Sequence, residues 1–138
     1  MQRNFSVPQN KPAVPLLEKD LTDQIIGAAI EVHKALGPGL LESAYQECME
    51  HESKLRNISF EHLVDLPLHY KGINLDAGYV IDLVYAKRVI VELKAIEHVI
   101  PVHEAQLLTY MRLTGIRVGL LINFNVPVLK DGIYRRVL

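Results

Sequence analysis

The sequence predicts a mixed α/β (α+β) domain with helices and strands in the order ααβββαββ. Three observations carry this reading. Apolar residues recur at helical spacing up to Arg56 and then switch to the alternation of strands. Two β-branched and aromatic-rich segments, Tyr79–Tyr85 and Val89–Ala95, are split only by Ala86-Lys87-Arg88. A helix-length pattern then stands between two strand-like segments, and such a crossover demands at least one parallel pair in the sheet.

Residues 1–20 contain Pro8, Pro12 and Pro15 without a sustained period, and read as a flexible leader before a single domain at 21–138. Asp20 or Thr22 offers a helix N-cap. Ile25, Ala29, Val32 and Leu36 make residues 22–36 an amphipathic helix, stopped by Gly37-Pro38-Gly39. A second helix is expected from about Leu40 to Arg56, with Leu41, Ala44, Tyr45, Cys48 and Leu55 as its apolar face. Ile58, Phe60, His62 and Val64 then alternate as a strand, which Leu66, Leu68 and Tyr70 continue past Pro67, so that it is bent or lies at an edge. Lys71-Gly72 is a turn signal. The two strands named above follow, then a helix at 102–114 with Ala105, Leu108, Met111 and Arg112 at helical spacing and Gly115 as its stop. Arg117–Phe124 is a nearly continuous apolar run, typical of a strand covered on both faces. A loop at Asn125–Gly132 leads to a short last strand, Ile133–Val137.

The 138 residues suit one domain, and 49% hydrophobic composition is enough to build its core. Cys48 is the single cysteine, so neither an internal disulfide nor a cysteine-built zinc site can form. This fits a reducing compartment, and a cytoplasmic location is expected. The start of the chain lacks the apolar core of a signal peptide, and the apolar stretches are strand-sized, so no membrane span is expected. The formal net charge of −1 is low for a protein that lives by non-specific phosphate contact, so any nucleic-acid chemistry must rest on a local site.

That site is expected on the hairpin between Asp82 and Lys94. If residues 86–88 form its loop, Leu83 faces Val91 and Asp82 faces Glu92. Directly opposed residues hold their Cβ atoms about 4.5–5.5 Å apart. Lys94, two residues past Glu92, points to the same side. Ile81, Leu83, Tyr85, Val89, Val91 and Leu93 make the other face wholly apolar. Facing carboxylates repel and raise each other's pKa, a penalty that a divalent cation removes. Mg²⁺ suits one or two carboxylates plus waters and phosphate oxygens. It can polarise a phosphodiester and favour hydroxide formation. Lys94 could orient or deprotonate the attacking water, or stabilise the developing charge. The same Glu-x-Lys pattern recurs at Glu52-Ser53-Lys54, but there i and i+2 lie on different faces of a helix, which reads as solvated surface.

Two further motifs frame the hairpin. Gly39-Leu40-Leu41-Glu42-Ser43-Ala44-Tyr45 sets Glu42 in the first turn of the second helix, where the dipole favours an acid, with Tyr45 one turn on. Gln106 and Tyr110 stand at i and i+4 on the helix after Lys94. Together with Asp82, Glu92-Leu93-Lys94, the run Pro101–Tyr110 and the Leu120–Phe124 strand, these motifs resemble the PD-(D/E)XK nuclease superfamily. More closely, they resemble its small GxxExxY proteins. The resemblance spans about Leu21 to Leu138. It implies a restriction-endonuclease-like helix–mixed β-sheet–helix fold with a four-stranded core. It implies that Asp82, Glu92 and Glu42 bind Mg²⁺ or Mn²⁺ and that Lys94 acts in catalysis. It further implies that Gln106 and Tyr110, with Tyr45, contact the substrate. The implied activity is phosphodiester hydrolysis on DNA, with RNA open, in a setting such as repair, recombination or defence.

Several residues carry plainer readings. His33 is a helix-terminal histidine favoured by the dipole, and Glu97, His98 and His103 are surface groups. Lys87-Arg88 and Arg135-Arg136 could touch phosphates but are ordinary at turns and ends. Cys48 reads as core. Two rival functions stand beside the nuclease: a non-catalytic module of the same fold that binds nucleic acid or protein, and a structural partner in a homo-oligomer whose acidic face is merely solvated.

Overall fold

A computed structural model describes residues 16–76 and 78–138, so most of the expected leader lies outside the described residues. The elements in chain order are α1 (Lys19–Leu36), α2 (Glu42–Leu55), β1 (Phe60–Asp65), β2 (Leu68–Tyr70), β3 (Ile73–Leu75), β4 (Val80–Tyr85), β5 (Val89–Lys94), α3 (Pro101–Thr114), β6 (Val118–Asn123) and β7 (Ile133–Val137). A 3₁₀ turn at Leu129–Gly132 precedes β7. No helix among the described residues is long and apolar enough to cross a membrane.

Five strands form one mixed sheet in the order β1-β4-β5-β6-β7. β5 and β6 are its parallel pair, in register from Val89↔Val118 to Lys94↔Asn123, with α3 as the crossover. β6 is buried along its whole length, as its unbroken apolar run requires. α1 and α2 cover one face, packing Ile25, Ala29, Tyr45 and Met49 on Leu83, Val91, Leu93 and Leu120. α3 covers the other, packing Leu107, Tyr110 and Met111 on Val84, Ile90 and Leu121.

Several expectations are corrected. α1 starts at Lys19, not Thr22, so Lys19 and Asp20 belong to the folded domain and not to the leader. Asp20 lies in the first turn, and Thr22 is buried with its hydroxyl donating to the Lys19 carbonyl at 3.1 Å. On α2 the core face is Tyr45, Met49 and Ser53; Leu41 is exposed as the extended N-cap residue before the helix, and Leu55, two residues past Ser53, lies on another face. On α3 the buried positions are Leu107, Tyr110 and Met111, and Ala105 and Arg112 are exposed. The strand expected to run past Pro67 ends at Asp65. Its continuation pairs with Ile73–Leu75 as a separate β2–β3 hairpin, so the order along the chain is ααβββββαββ. Lys71 and Gly72 turn that hairpin with φ of 44° and 85°, the double positive φ of a two-residue hairpin turn. The core sheet has five strands where four were implied.

Two glycines are fixed by packing. A Cβ on Gly119 would meet Met111 Sδ at 2.6 Å, so the glycine lets α3 lie close on β6. A Cβ on Gly132 would lie 2.1 Å from the backbone oxygen of Asn123, where β6 leaves the sheet. Backbone cannot swing aside as a side-chain tip can. Gly132→Ala is therefore expected to cost more than the about 1–3 kcal/mol usual for overpacking, read as a lowered midpoint in urea denaturation. Gly119→Ala, which meets side chains only, should cost less.

Candidate active site

β4 and β5 pair as the three-residue loop predicts: Tyr85↔Val89, Val84↔Ile90 and Leu83↔Val91. The regular ladder ends there. One step further, side chains replace it. The Asp82 N–H donates to Glu92 Oε2 at 2.8 Å, and the Leu93 N–H donates to Asp82 Oδ2 at 2.7 Å. Each acid thus accepts a backbone donor from the opposing strand, and both carboxylates are drawn into the gap where the strands part. On the far side of β4, pairing with β1 also skips the Leu63–Asp82 level, and Leu63 adopts φ of 49°. A non-glycine residue there costs of order 1–3 kcal/mol. The irregularity also reverses one side chain: Ile81 packs on the α3 side with Val84 and Ile90, not with Leu83 and Tyr85 as strict alternation would place it.

The electrostatics follow from this burial. Glu92 is 5% exposed. Desolvation, and then the charge of Asp82, push its carboxyl up to about 8, against the Asp82 N–H and Lys94, which favour the ionised form. Burial also raises Asp82, opposed by the Leu93 N–H and Lys94. Glu42 is raised by burial and by Asp82, again opposed by Lys94. Tyr110 is raised by burial and by the charges of Glu92 and Asp82. Glu42, Asp82, Glu92, Lys94 and Tyr110 therefore share one electrostatic neighbourhood, assembled from α2, β4, β5 and α3.

Other expected residues take different places. Tyr45, expected to touch substrate, is fully buried. Its hydroxyl donates to the Gly37 carbonyl at 2.6 Å and accepts the Leu40 N–H at 3.2 Å, while its ring stacks on Phe124 at 4.4 Å. It clamps the turn that leads to Glu42 and cannot itself reach a ligand. Gln106 lines a cavity beside Tyr110. His33 is held by the Val126 carbonyl at 2.8 Å, and His103 accepts the Ile100 N–H at the start of α3. Glu97 and His98 are exposed. Arg88 faces Glu18 at 3.4 Å, Arg135 bonds Thr22 and the Leu17 carbonyl, and Arg136 pairs with Glu104.

Two contributors escaped the sequence reading. Gln46 donates to the Asp82 carbonyl at 3.0 Å and to Glu50 at 2.9 Å, tying α2 to β4 at the acid. Its signal was the polar stripe Glu42, Gln46, Glu50 at i, i+4 and i+8. Asn123 is buried, with its side chain accepting the Ile96 N–H at 3.1 Å and donating to the Ile96 carbonyl at 3.0 Å. It holds the chain just beyond Lys94, and an asparagine closing an apolar strand was its only trace.

Hard carboxylate oxygens at Asp82 and Glu92, strained by mutual charge, suit a hard divalent ion. Among the described residues no group of three or more His, Cys, Asp or Glu side chains is arranged to hold a metal unaided. An ion bound here would complete its coordination with water and substrate oxygens, which is usual for Mg²⁺. A sequence profile of the PD-(D/E)XK nuclease superfamily matches residues 19–137. No curated protein and no solved structure gives a significant match.

The raised Glu92 carboxyl fixes the sign of a pH effect. The folded state holds this proton more tightly than the unfolded chain, so this group's contribution to stability is fully present below the ordinary glutamate value and is lost as pH rises through about 8. Glu92→Gln keeps an acceptor for the Asp82 N–H and removes the charge. In EDTA it should raise the thermal midpoint at pH 9, by on the order of a few kcal/mol of stability, and change it little at pH 4. Equal effects at both pH values would contradict this origin.

Proposed function

We propose that this chain, which belongs to the PD-(D/E)XK nuclease superfamily, is a Mg²⁺- or Mn²⁺-dependent nuclease that hydrolyses phosphodiester bonds in DNA. Nucleases are the superfamily's usual members, and the motif from Gly39 to Tyr45 favours its GxxExxY group within that family. The observation that carries the reading is the reciprocal Asp82–Glu92 arrangement with Lys94 two residues further along β5. An ordinary surface hairpin has no reason to bury one acid against a second, half-buried one, since withdrawing each from water costs desolvation free energy.

In this reading Asp82 and Glu92 hold the metal, and Glu42 completes the acidic set through the helix start that Tyr45 clamps. The bound ion would supply Lewis-acid stabilisation of phosphate charge and an activated water. The chain's own groups do the rest. Lys94, at the carboxyl end of a parallel strand, orients or deprotonates the attacking water, or neutralises charge as it develops on phosphorus. The N–H groups of Asp82 and Leu93 fix the carboxylates before substrate arrives, so little reorganisation is needed in the transition state. Gln106 and Tyr110 steady the strand from α3. Asn123 keeps the segment after Lys94 in place.

A non-catalytic nucleic-acid-binding module is the second reading, favoured by the lack of a self-sufficient metal-holding group among the described residues. Metal-dependent scission separates the two, because a binding module shows only a salt-sensitive shift. In a Mg²⁺ and Mn²⁺ screen over single-stranded, duplex, nicked and branched DNA, Lys94→Ala is expected to lower cleavage by about 10²-fold or more. Its folding and metal affinity should stay close to those of the parent. Undiminished cleavage by that variant under matched purification would sink the assignment.

A further inference from the structure

Between β1 and β4 the chain makes a detour that the acidic site does not explain. β2 and β3 pair as Leu68↔Leu75, His69↔Asn74 and Tyr70↔Ile73 around the two-residue turn at Lys71 and Gly72. Side chains at i and i+2 share a face, together with those directly opposite them. One face of the hairpin is therefore Leu68, Tyr70, Ile73 and Leu75, wholly apolar. The other holds His69 and Asn74, whose side chains bond each other. Such alternation belongs to a sheet that buries one side. Here Tyr70, Ile73 and Leu75 remain 58%, 55% and 41% exposed, and no element among the described residues covers them. A two-stranded hairpin is marginal in water unless its apolar face is packed.

The apolar face continues onto the body of the domain. Leu68 lines a cavity with Tyr79 and with Val102 and Leu113 of α3, and these three are 42%, 62% and 50% exposed. Six half-exposed apolar side chains thus adjoin, and at roughly 70–100 Å² each they leave on the order of 500 Å² bare, the upper end of what soluble monomers show. The hairpin face carries no acidic or basic side chain. Lys71, at the turn, lays its ammonium over the Tyr70 ring, 5.3 Å from the centroid. Such a surface has little to offer a phosphate or a charged peptide and suits an apolar partner. Glu42 and Asp82 line a separate cavity with Gln46 and His62, so covering this patch leaves the acids open.

We propose that this patch joins two copies of the chain, with their β2–β3 hairpins stacked apolar face to apolar face across a two-fold axis. A two-fold interface must be complementary to itself, and a two-stranded face of aliphatic and aromatic side chains meets that condition. Stacking makes two layers about 10 Å apart and gives each marginal hairpin the packing it lacks. The area agrees. Somewhat over half of a protein interface is apolar, so roughly 500 Å² of apolar surface implies roughly 900 Å² in all from each copy, against the about 800 Å² per partner of a stable complex. The formal charge of −1 sets only weak repulsion between copies.

The test is the mass of the full chain in solution, measured by sedimentation equilibrium without nucleic acid. A dimer is expected to predominate at about 10 μM chain, and its thermal midpoint should rise with protein concentration. Ile73→Asp and Tyr70→Asp each place a charge on the hairpin face from an exposed position. Each should weaken dimerisation about 10²-fold or more, with the far-UV circular dichroism of the parent and a midpoint that no longer depends on concentration. Asn74→Asp puts the same charge on the opposite face, keeps the acceptor for His69, and should leave the dimer intact. If either aspartate unsettles the hairpin, Ile73→Thr keeps the strand preference and should still weaken dimerisation about tenfold. A chain that stays monomeric up to about 1 mM overturns the proposal. So does a dimer that the folded variants of the apolar face leave undisturbed, or one that Asn74→Asp breaks as readily. None of these readouts involves cleavage, so the nuclease reading stands or falls separately.

Discussion

The rest of the site depends on the exchange of hydrogen bonds between Asp82 and Glu92. Two strands that pair regularly from Tyr85 and Val89 to Leu83 and Val91 would ordinarily continue with backbone bonds. Instead each carboxylate accepts a donor from the opposing strand. This fixes both acids in the gap between β4 and β5, next to Lys94 and within the field of Glu42 and Tyr110.

The arrangement is costly, and the surrounding structure bears the cost. The buried Glu92 and the half-buried Asp82 repel each other, and Leu63 holds a left-handed backbone opposite Asp82. Burial and Asp82 together lift Glu92 to about 8. Against this stand the bonds from the Asp82 and Leu93 N–H groups, the positive charge of Lys94, and the packed faces on either side of the sheet. Strain and unfavourable charge tend to gather where a ligand relieves them. A hard cation and a phosphate are ligands of the right chemistry.

A second set of contacts aligns the periphery with this centre. Tyr45 is secured by its stack on Phe124 and by both bonds to the Gly37–Leu40 turn, so Glu42 enters the site from a fixed helix start. His33 holds the loop after β6 through Val126. Asn123 ties that same strand end to Ile96, just beyond Lys94. Gln46 joins α2 to the Asp82 backbone. The acids, the lysine and the helix that supplies Glu42 are thus referred to one strand end, where β5 and β6 run parallel.

The sequence by itself determined the sheet's parallel crossover, the loop and register of the β4–β5 hairpin, and the order of Glu42, Asp82, Glu92, Lys94, Gln106 and Tyr110 along the chain. These are local matters of period, turn chemistry and spacing, which neighbouring residues encode. Tertiary structure decided which apolar stripe of α2 and α3 is buried, that the residues after Pro67 form their own hairpin, and that Tyr45 serves the fold and not the substrate. It also decided the departure from alternation that sends Ile81 to the α3 side and draws the two carboxylates between the strands. The physical reason is the same in each case. A helix stripe, a tyrosine hydroxyl or a buried acid is satisfied by partners distant in sequence, and pattern alone cannot say which partners the folded chain will bring.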